Sequence, residues 1–379
     1  MNLDRYHGLD TLRAAAIIVV FMFHYYVATH NPLHSFTIGR IGWVGVDLFF
    51  VLSGYLIGNQ IFSTFIRHDQ FSLKTFYFRR CLRTVPNYLF VLGLYFFIPI
   101  FREQPLITPL WKFLTFTQNF NLNLSAFSHA WSLCIEEQFY FILPLITFLL
   151  TNKNKLRICW FLIGFILFAG IILRSSLWMI YIQHVGNKFP LYMSKIYYSS
   201  FCRLDGLVLG VSVALLKNFY KSTWHNLTLK GNWFMLIGII GCYFTLYPIP
   251  KLFEFVPTAF GYLLRTVSFA SLLVAALSSR TLLYRIKIPG AFTLSTWSYA
   301  IYLTHKQIIH ISQSMLSSSI IAKSNLLILI SIILFSLIGG WLLYTFVETP
   351  FLRFRDKFTK SKLDDQPYIG TISNMVPKI

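Results

Sequence analysis

Charge is what this sequence has least of. Asp, Glu, Lys and Arg together make up 12% of 379 residues, and only 13 of those residues are acidic. Globular proteins carry about 25% charged residues, so too little polar surface is available here to coat a soluble domain. The same shortage excludes a disordered polar chain, which needs high charge and few apolar residues. Cysteine is sparse as well. Cys81, Cys134, Cys159, Cys202 and Cys242 show no CxxC or metal-type spacing, which excludes a disulfide-stapled scaffold and leaves the redox compartment unread. There is no P-loop, no dinucleotide-type glycine pattern, no solenoid repeat and no low-complexity tract. His305 and His310 stand five apart, off the i, i+4 zinc spacing, and no metal is expected.

What is abundant is apolar: 56% hydrophobic residues, 18% aromatic, with 39 Phe. A bilayer span needs about 20 mostly apolar residues. Ten such segments can be read, at 11–29, 41–62, 84–101, 131–150, 158–178, 202–216, 231–248, 257–278, 291–315 and 325–346. The fold class expected is therefore an all-α integral membrane bundle of about ten helices, a transmembrane domain over 1–350 followed by a basic, then polar tail over 351–379, partly without regular structure. The first segment has no small-residue cleavage site, so a removable signal peptide is not expected.

The formal net charge of +20 does not call for nucleic acid once the cations are placed along the chain. Alternate connections hold 22 Lys and Arg on one side, together with both termini, and 7 on the other. The positive-inside rule makes the richer side cytoplasmic. Four cations, Arg174, Arg203, Arg265 and Lys306, fall in or at the ends of spans.

Ionisable groups inside spans are costly and are candidates for function. Arg13 and His24 are eleven residues apart, about 20° past three full turns and so on a common face, and roughly 16 Å apart along the axis. That places a cation at one edge and a titratable base past mid-membrane, an arrangement suited to a substrate channel; a snorkelling arginine and an interfacial histidine satisfy the same spacing. In FYFRRCLRTVPNY, Arg80 and Arg83 make a guanidinium pair suited to phosphate, although positive-inside charge alone accounts for them too. Pro86 behind them is expected to start or kink the span. In HAWSLCIEEQFYFILPL, Ser132 and Glu136 share a helix face with His129 just upstream. In the ninth span Ser298, Tyr302 and His305 fall at i, i+4 and i+7. Gly54 and Gly58 are spaced for close helix packing, with Asp47 free to pair a basic group, and Asp205 opens the sixth span.

Taken in order, LDTLRAAAIIVVFMFH, GWVGVDLFFVLSGYLIG, FYFRRCLRTVPNY, LTFTQNF, AWSLCIEEQFYFILP, CRLDGLVLG, WSYAIYLTH and VETPFLRF resemble the acyltransferase-3 family of bacterial membrane acyltransferases. They span residues 9 to 354. The resemblance implies transfer of an acyl group, usually acetyl, from cytoplasmic acyl-CoA to a carbohydrate hydroxyl, often on a surface polysaccharide such as a lipopolysaccharide O-antigen, at the bacterial inner membrane. It implies His24 as general base, with Glu136 orienting it or stabilising its cation, and Arg13, Arg80 and Arg83 contacting acyl-CoA. Asp47, Ser132, Asp205, Tyr302 and His305 stand behind these. The appended esterase-like domain of some members is not expected, because the chain ends about 30 residues after the last span. Two other readings fit a multi-span bundle: a transporter of a lipid-linked or sugar substrate, for which inverted repeats and paired broken helices are not clear here, and a non-catalytic scaffold.

Overall fold

The computed structural model describes residues 6–29, 37–66, 71–122, 125–149, 156–246, 252–316 and 325–364, and every regular element among them is helical. The principal helices are α1 (His7–Thr29), α2 (Gly45–Ile66), α3 (Leu73–Phe97), α4 (Trp131–Leu149), α5 (Leu156–Leu177), α6 (Asp205–Phe219), α7 (Gly231–Leu246), α8 (Gly261–Ala276), α9 (Ala291–Leu316), α10 (Asn325–Leu343) and α11 (Thr349–Asp364). Each apolar segment of the sequence holds one of α1 to α10. By length and composition, four helical segments suit a bilayer: His7–Thr29, Gly39–Ile66, Leu156–Ile182 and Leu326–Phe358. The pair Lys221–Leu229 and Gly231–Leu246, bent by 71°, makes a fifth if it is one span. The helices outside this set are short, as α6 and α8 are, or carry the charged and polar groups of the interior, as α3, α4 and α9 do.

The lipid-facing surface is read from the apolar residues left outside. On α5, Phe161, Phe165 and Phe168 recur at helical spacing and are 58–69% exposed, a stripe that would be a liability in water. Inside, α2 and α6 approach almost backbone to backbone. A Cβ at Gly54 would lie 2.0 Å from the Leu207 carbonyl oxygen, and one at Gly210 would lie 2.2 Å from that of Val51. Small residues permit this contact, and van der Waals packing then holds the pair without help from the hydrophobic effect.

α3 corrects the expected boundary. It begins at Leu73, capped by Ser72, whose Oγ accepts from the Thr75 amide at 3.2 Å. Pro86 therefore lies inside the helix rather than at its start, and Arg79, Arg80 and Arg83 ride on its early turns. Beyond α10, a π-helical turn (Tyr344–Glu348) leads into α11, so the tail is helical through Asp364.

Arg174, Arg203, Arg265 and Lys306 all have acidic partners. Arg174 makes a two-pronged contact with Asp205, at 2.7 and 3.2 Å, and both groups are buried. Asp47 receives Arg203 on one oxygen and Arg265 on the other. Lys306 pairs with Glu103 at 2.8 Å. Charges that are costly in lipid become internal fasteners when paired in this way.

Candidate active site

The interior site is built from one face of α1, the early turns of α3, the first half of α4 and the middle of α9. Its lower part is a cavity of about 80 Å³ lined by Arg13, Ser53, Arg80, Arg83, Ser132, Glu136, Glu137, Ser298 and Tyr302, among others. Below it opens a larger cavity of about 460 Å³, which shares Arg13, Arg80 and Arg83 and adds Arg79, Arg355 and Asp356. The two spaces meet at the three shared arginines.

Those three differ from the cations of the frame. Among the described residues, Arg13, Arg80 and Arg83 form no ion pair. The Arg80 guanidinium lies 3.9 Å from the centre of the Tyr140 ring, and its Nε has no hydrogen-bond partner. Half-buried guanidinium groups converging on a cavity without a carboxylate partner fit an anionic ligand, and their planar forks suit phosphate.

Glu136 belongs to this end of the site. Its Oε1 accepts from Ser53 Oγ at 3.2 Å and its Oε2 from Tyr140 OH at 2.9 Å. It makes no hydrogen bond with His24, the contact expected of an orienting carboxylate. Ser53 and Tyr140 were not singled out as its partners from the sequence; the i, i+4 spacing of Glu136 and Tyr140 was the available signal.

His24 finds its partner on α9 instead. His305, fully buried, turns Nδ1 toward the carbonyl oxygens of Tyr302 at 2.8 Å and Ile301 at 3.1 Å. Carbonyls accept only, so this nitrogen donates and Nε2 of the neutral ring is left to accept. Nε2 lies 3.0 Å from His24 Nδ1, which therefore donates to it, with the Val20 carbonyl as a second acceptor at 3.1 Å. The network thereby assigns the tautomer of both rings and leaves His24 Nε2 with its lone pair available.

His129 completes a histidine cluster, its ring centre 6.1 Å from that of His24 and 5.4 Å from that of His305. The loop before α4 puts it there. Phe127 is left-handed (φ 59°), a backbone state that costs about 1–3 kcal/mol in a non-glycine residue. It is held by the rings of Tyr95, Tyr88 and Phe113 and by its amide donating to Glu103 Oε1 at 3.1 Å. Among the described residues no three His, Cys, Asp or Glu side chains are placed to share a metal ion.

Tyr302 and Ser132 stand between the two ends. Tyr302 OH donates to the His129 carbonyl at 2.6 Å, so the 2.6 Å contact with Ser132 Oγ has the serine as donor. Both residues line the inner cavity, and His305 follows Tyr302 on the same helix. Asp47 and Asp205 are not brought into the site; their arginine partners occupy them elsewhere in the bundle.

Fold and site together define a multi-pass helical membrane protein with an arginine-lined end and a histidine end in one interior. The chain belongs to the acyltransferase-domain family, whose model matches residues 6–345. It is similar to the peptidoglycan O-acetyltransferase OatA of Listeria monocytogenes, 28% identical over 372 residues, covering 90% of this chain and 55% of that protein. It is also similar to the O-acetyltransferase OatA of Staphylococcus aureus, 30% identical over 226 residues, covering 55% of this chain and 34% of that protein. The chain thus spans about half, or less, of the length of these relatives. No solved structure matches it.

Proposed function

We propose that this chain is a membrane O-acetyltransferase that takes an acetyl group from acyl-CoA and passes it to a carbohydrate hydroxyl of a surface glycan. The family and the names of the relatives support the reaction class, and the peptidoglycan of the Listeria relative's name supports a glycan acceptor. A lipopolysaccharide O-antigen offers the same hydroxyl chemistry. The observation that carries the reading is the availability of His24 Nε2, fixed by His305, on the same helix as Arg13.

In this scheme Arg13, Arg80 and Arg83 hold donor phosphates at the meeting of the two cavities. Glu136 keeps Tyr140 beneath Arg80 and so shapes the donor end. The thioester-bearing arm threads the narrow inner cavity past Ser132 and Tyr302. His24 Nε2 removes the proton of the acceptor hydroxyl as its oxygen attacks the thioester carbon; a C–O bond forms, the C–S bond breaks, and the proton passes to the departing thiolate. His305 holds the ring and shares the charge that develops on it. The 22-to-7 distribution of cations supports a cytoplasmic donor end and cytoplasmic termini in the bacterial inner membrane.

The test is CoA release from acetyl-CoA by the purified protein in liposomes with a glycan acceptor. Replacing His24 with Ala is expected to lower acceptor-dependent release by about a hundredfold or more, the range of general-base catalysis. Unchanged release would remove His24 from the chemistry. No acceptor-dependent release from the unaltered protein with any glycan would reject the reaction.

A further inference from the structure

The two cavities differ in size and in their arginines. The inner one, about 80 Å³, admits only a thin chain, while the outer one, about 460 Å³, is in the range of small-molecule sites. Arg13, Arg80 and Arg83 line both. Arg79 and Arg355 line the outer cavity and not the inner. Arg355 lies beyond the residues that match the family, on α11, and its position there is built. Phe358 and Phe354 pack on Phe78 of α3, with ring centres 4.6 and 6.5 Å apart, seating α11 against the arginine-bearing turns. The Arg355 guanidinium contacts the neighbouring Asp356 carboxylate at 2.7 and 2.8 Å. Asp356 is 60% exposed, so water competes well for that carboxylate.

Cations at two depths fit an anion with two separate phosphate groups. We propose that Arg355, with Arg79, forms an outer phosphate subsite at the mouth of the donor cavity and selects donors that carry a phosphomonoester beyond their diphosphate. The inference rests on the acyl-CoA reading. Coenzyme A has a diphosphate on one side of its ribose and a 3′-phosphate on the other. With the arm directed into the narrow inner cavity, the diphosphate falls at the shared arginines and the 3′-phosphate at the outer pair. A phosphomonoester dianion matches the guanidinium fork, and a second arginine shares its charge. Asp356 is a built-in competitor, because phosphate must displace its carboxylate from Arg355.

Binding of coenzyme A and of 3′-dephospho-coenzyme A to the full chain in lipid nanodiscs, measured by calorimetry, tests this. The unaltered protein is expected to bind coenzyme A about tenfold more tightly than the dephospho form, the value of one charge-assisted phosphate contact. Arg355→Ala should erase most of that preference by weakening coenzyme A alone. Asp356→Asn should widen it by strengthening coenzyme A alone. Equal binding of the two ligands by the unaltered protein, or equal weakening of both by Arg355→Ala, would overturn the subsite and leave the acyl-CoA reading standing. Binding of neither ligand would overturn the acyl-CoA reading and the subsite with it.

Discussion

At the scale of single residues, the site turns on which nitrogen of each histidine holds the proton. His305 has its answer imposed by two backbone carbonyls, and it imposes one on His24 in turn. In the proposed reaction His305 is a positioning group, which makes a prediction with two arms. His305→Gln keeps an acceptor for the His24 Nδ1–H, whereas His305→Phe keeps bulk and offers none. The Phe variant is expected to lose turnover on the order of a hundredfold, the penalty for a misplaced catalytic group, with acetyl-CoA affinity unchanged. The Gln variant should recover a substantial part of that loss. Turnover measured at saturating donor, beside a separate binding titration, decides it; full activity in the Phe variant would end the positioning role. Sequence could read part of this arrangement. Helical spacing put Ser298, Tyr302 and His305 on one face and Arg13 with His24 on another. The meeting of His305 with His24 is a contact between residues 281 positions apart, and periodicity carries no information about which faces turn toward each other. For the same reason Glu136 was expected beside His24 and is found bonded to Ser53 and Tyr140.

At the scale of elements, the bundle is fastened by charge as well as by shape. Asp47 sits near the start of α2 and binds Arg265 of α8 together with Arg203, which lies two residues before α6. One carboxylate thus ties three parts of the chain together, and Arg203 is also enclosed by the rings of Tyr262, Tyr197 and Trp131. Removing the carboxylate would leave two buried guanidinium groups without their counter-charge. Asp47→Ala is expected to destabilise the fold by about 3–5 kcal/mol, the cost of breaking a buried pair by deleting one partner. The check is the yield of monodisperse protein and its unfolding temperature in detergent. A variant that keeps its stability and loses only turnover would move Asp47 from frame to site. The sequence made the close packing at Gly54 legible through its spacing with Gly58, and it raised a basic partner for Asp47. It could not supply the identities of Arg203 and Arg265, which lie 156 and 218 residues away. The i, i+3 spacing of Arg80 and Arg83 reads as a helix start, but the first turns are rich in cations, so a search for apolar runs begins at 84, while the Ser72 cap marks the true start.

At the scale of the whole molecule, the proposed reaction needs two sides, with the donor phosphates met from one and the glycan from the other. On the proposed orientation, which the asymmetry of Lys and Arg supports, the arginine end and α11 face the cytoplasm and the 179–201 connection the opposite side. Five apolar segments lie between that connection and α11, an odd number, so the two must be separated by the membrane if each segment crosses. Composition and length alone admit fewer crossings, because helices such as α9 trade apolar residues for the groups of the site. Single cysteines settle the matter: His184→Cys on the connection and Lys357→Cys on α11, both exposed, each in a Cys81→Ser background to remove the one exposed native thiol. A membrane-impermeant maleimide is expected to label Lys357→Cys only in inverted vesicles and His184→Cys only in right-side-out ones. The reverse pattern would turn the protein over and put the arginine cavity where coenzyme A is absent, defeating the donor reading on topological grounds. Labelling of both from one side would show that one of the five segments does not cross, and α8, among the shortest and the one bearing Arg265, would be the first to re-examine.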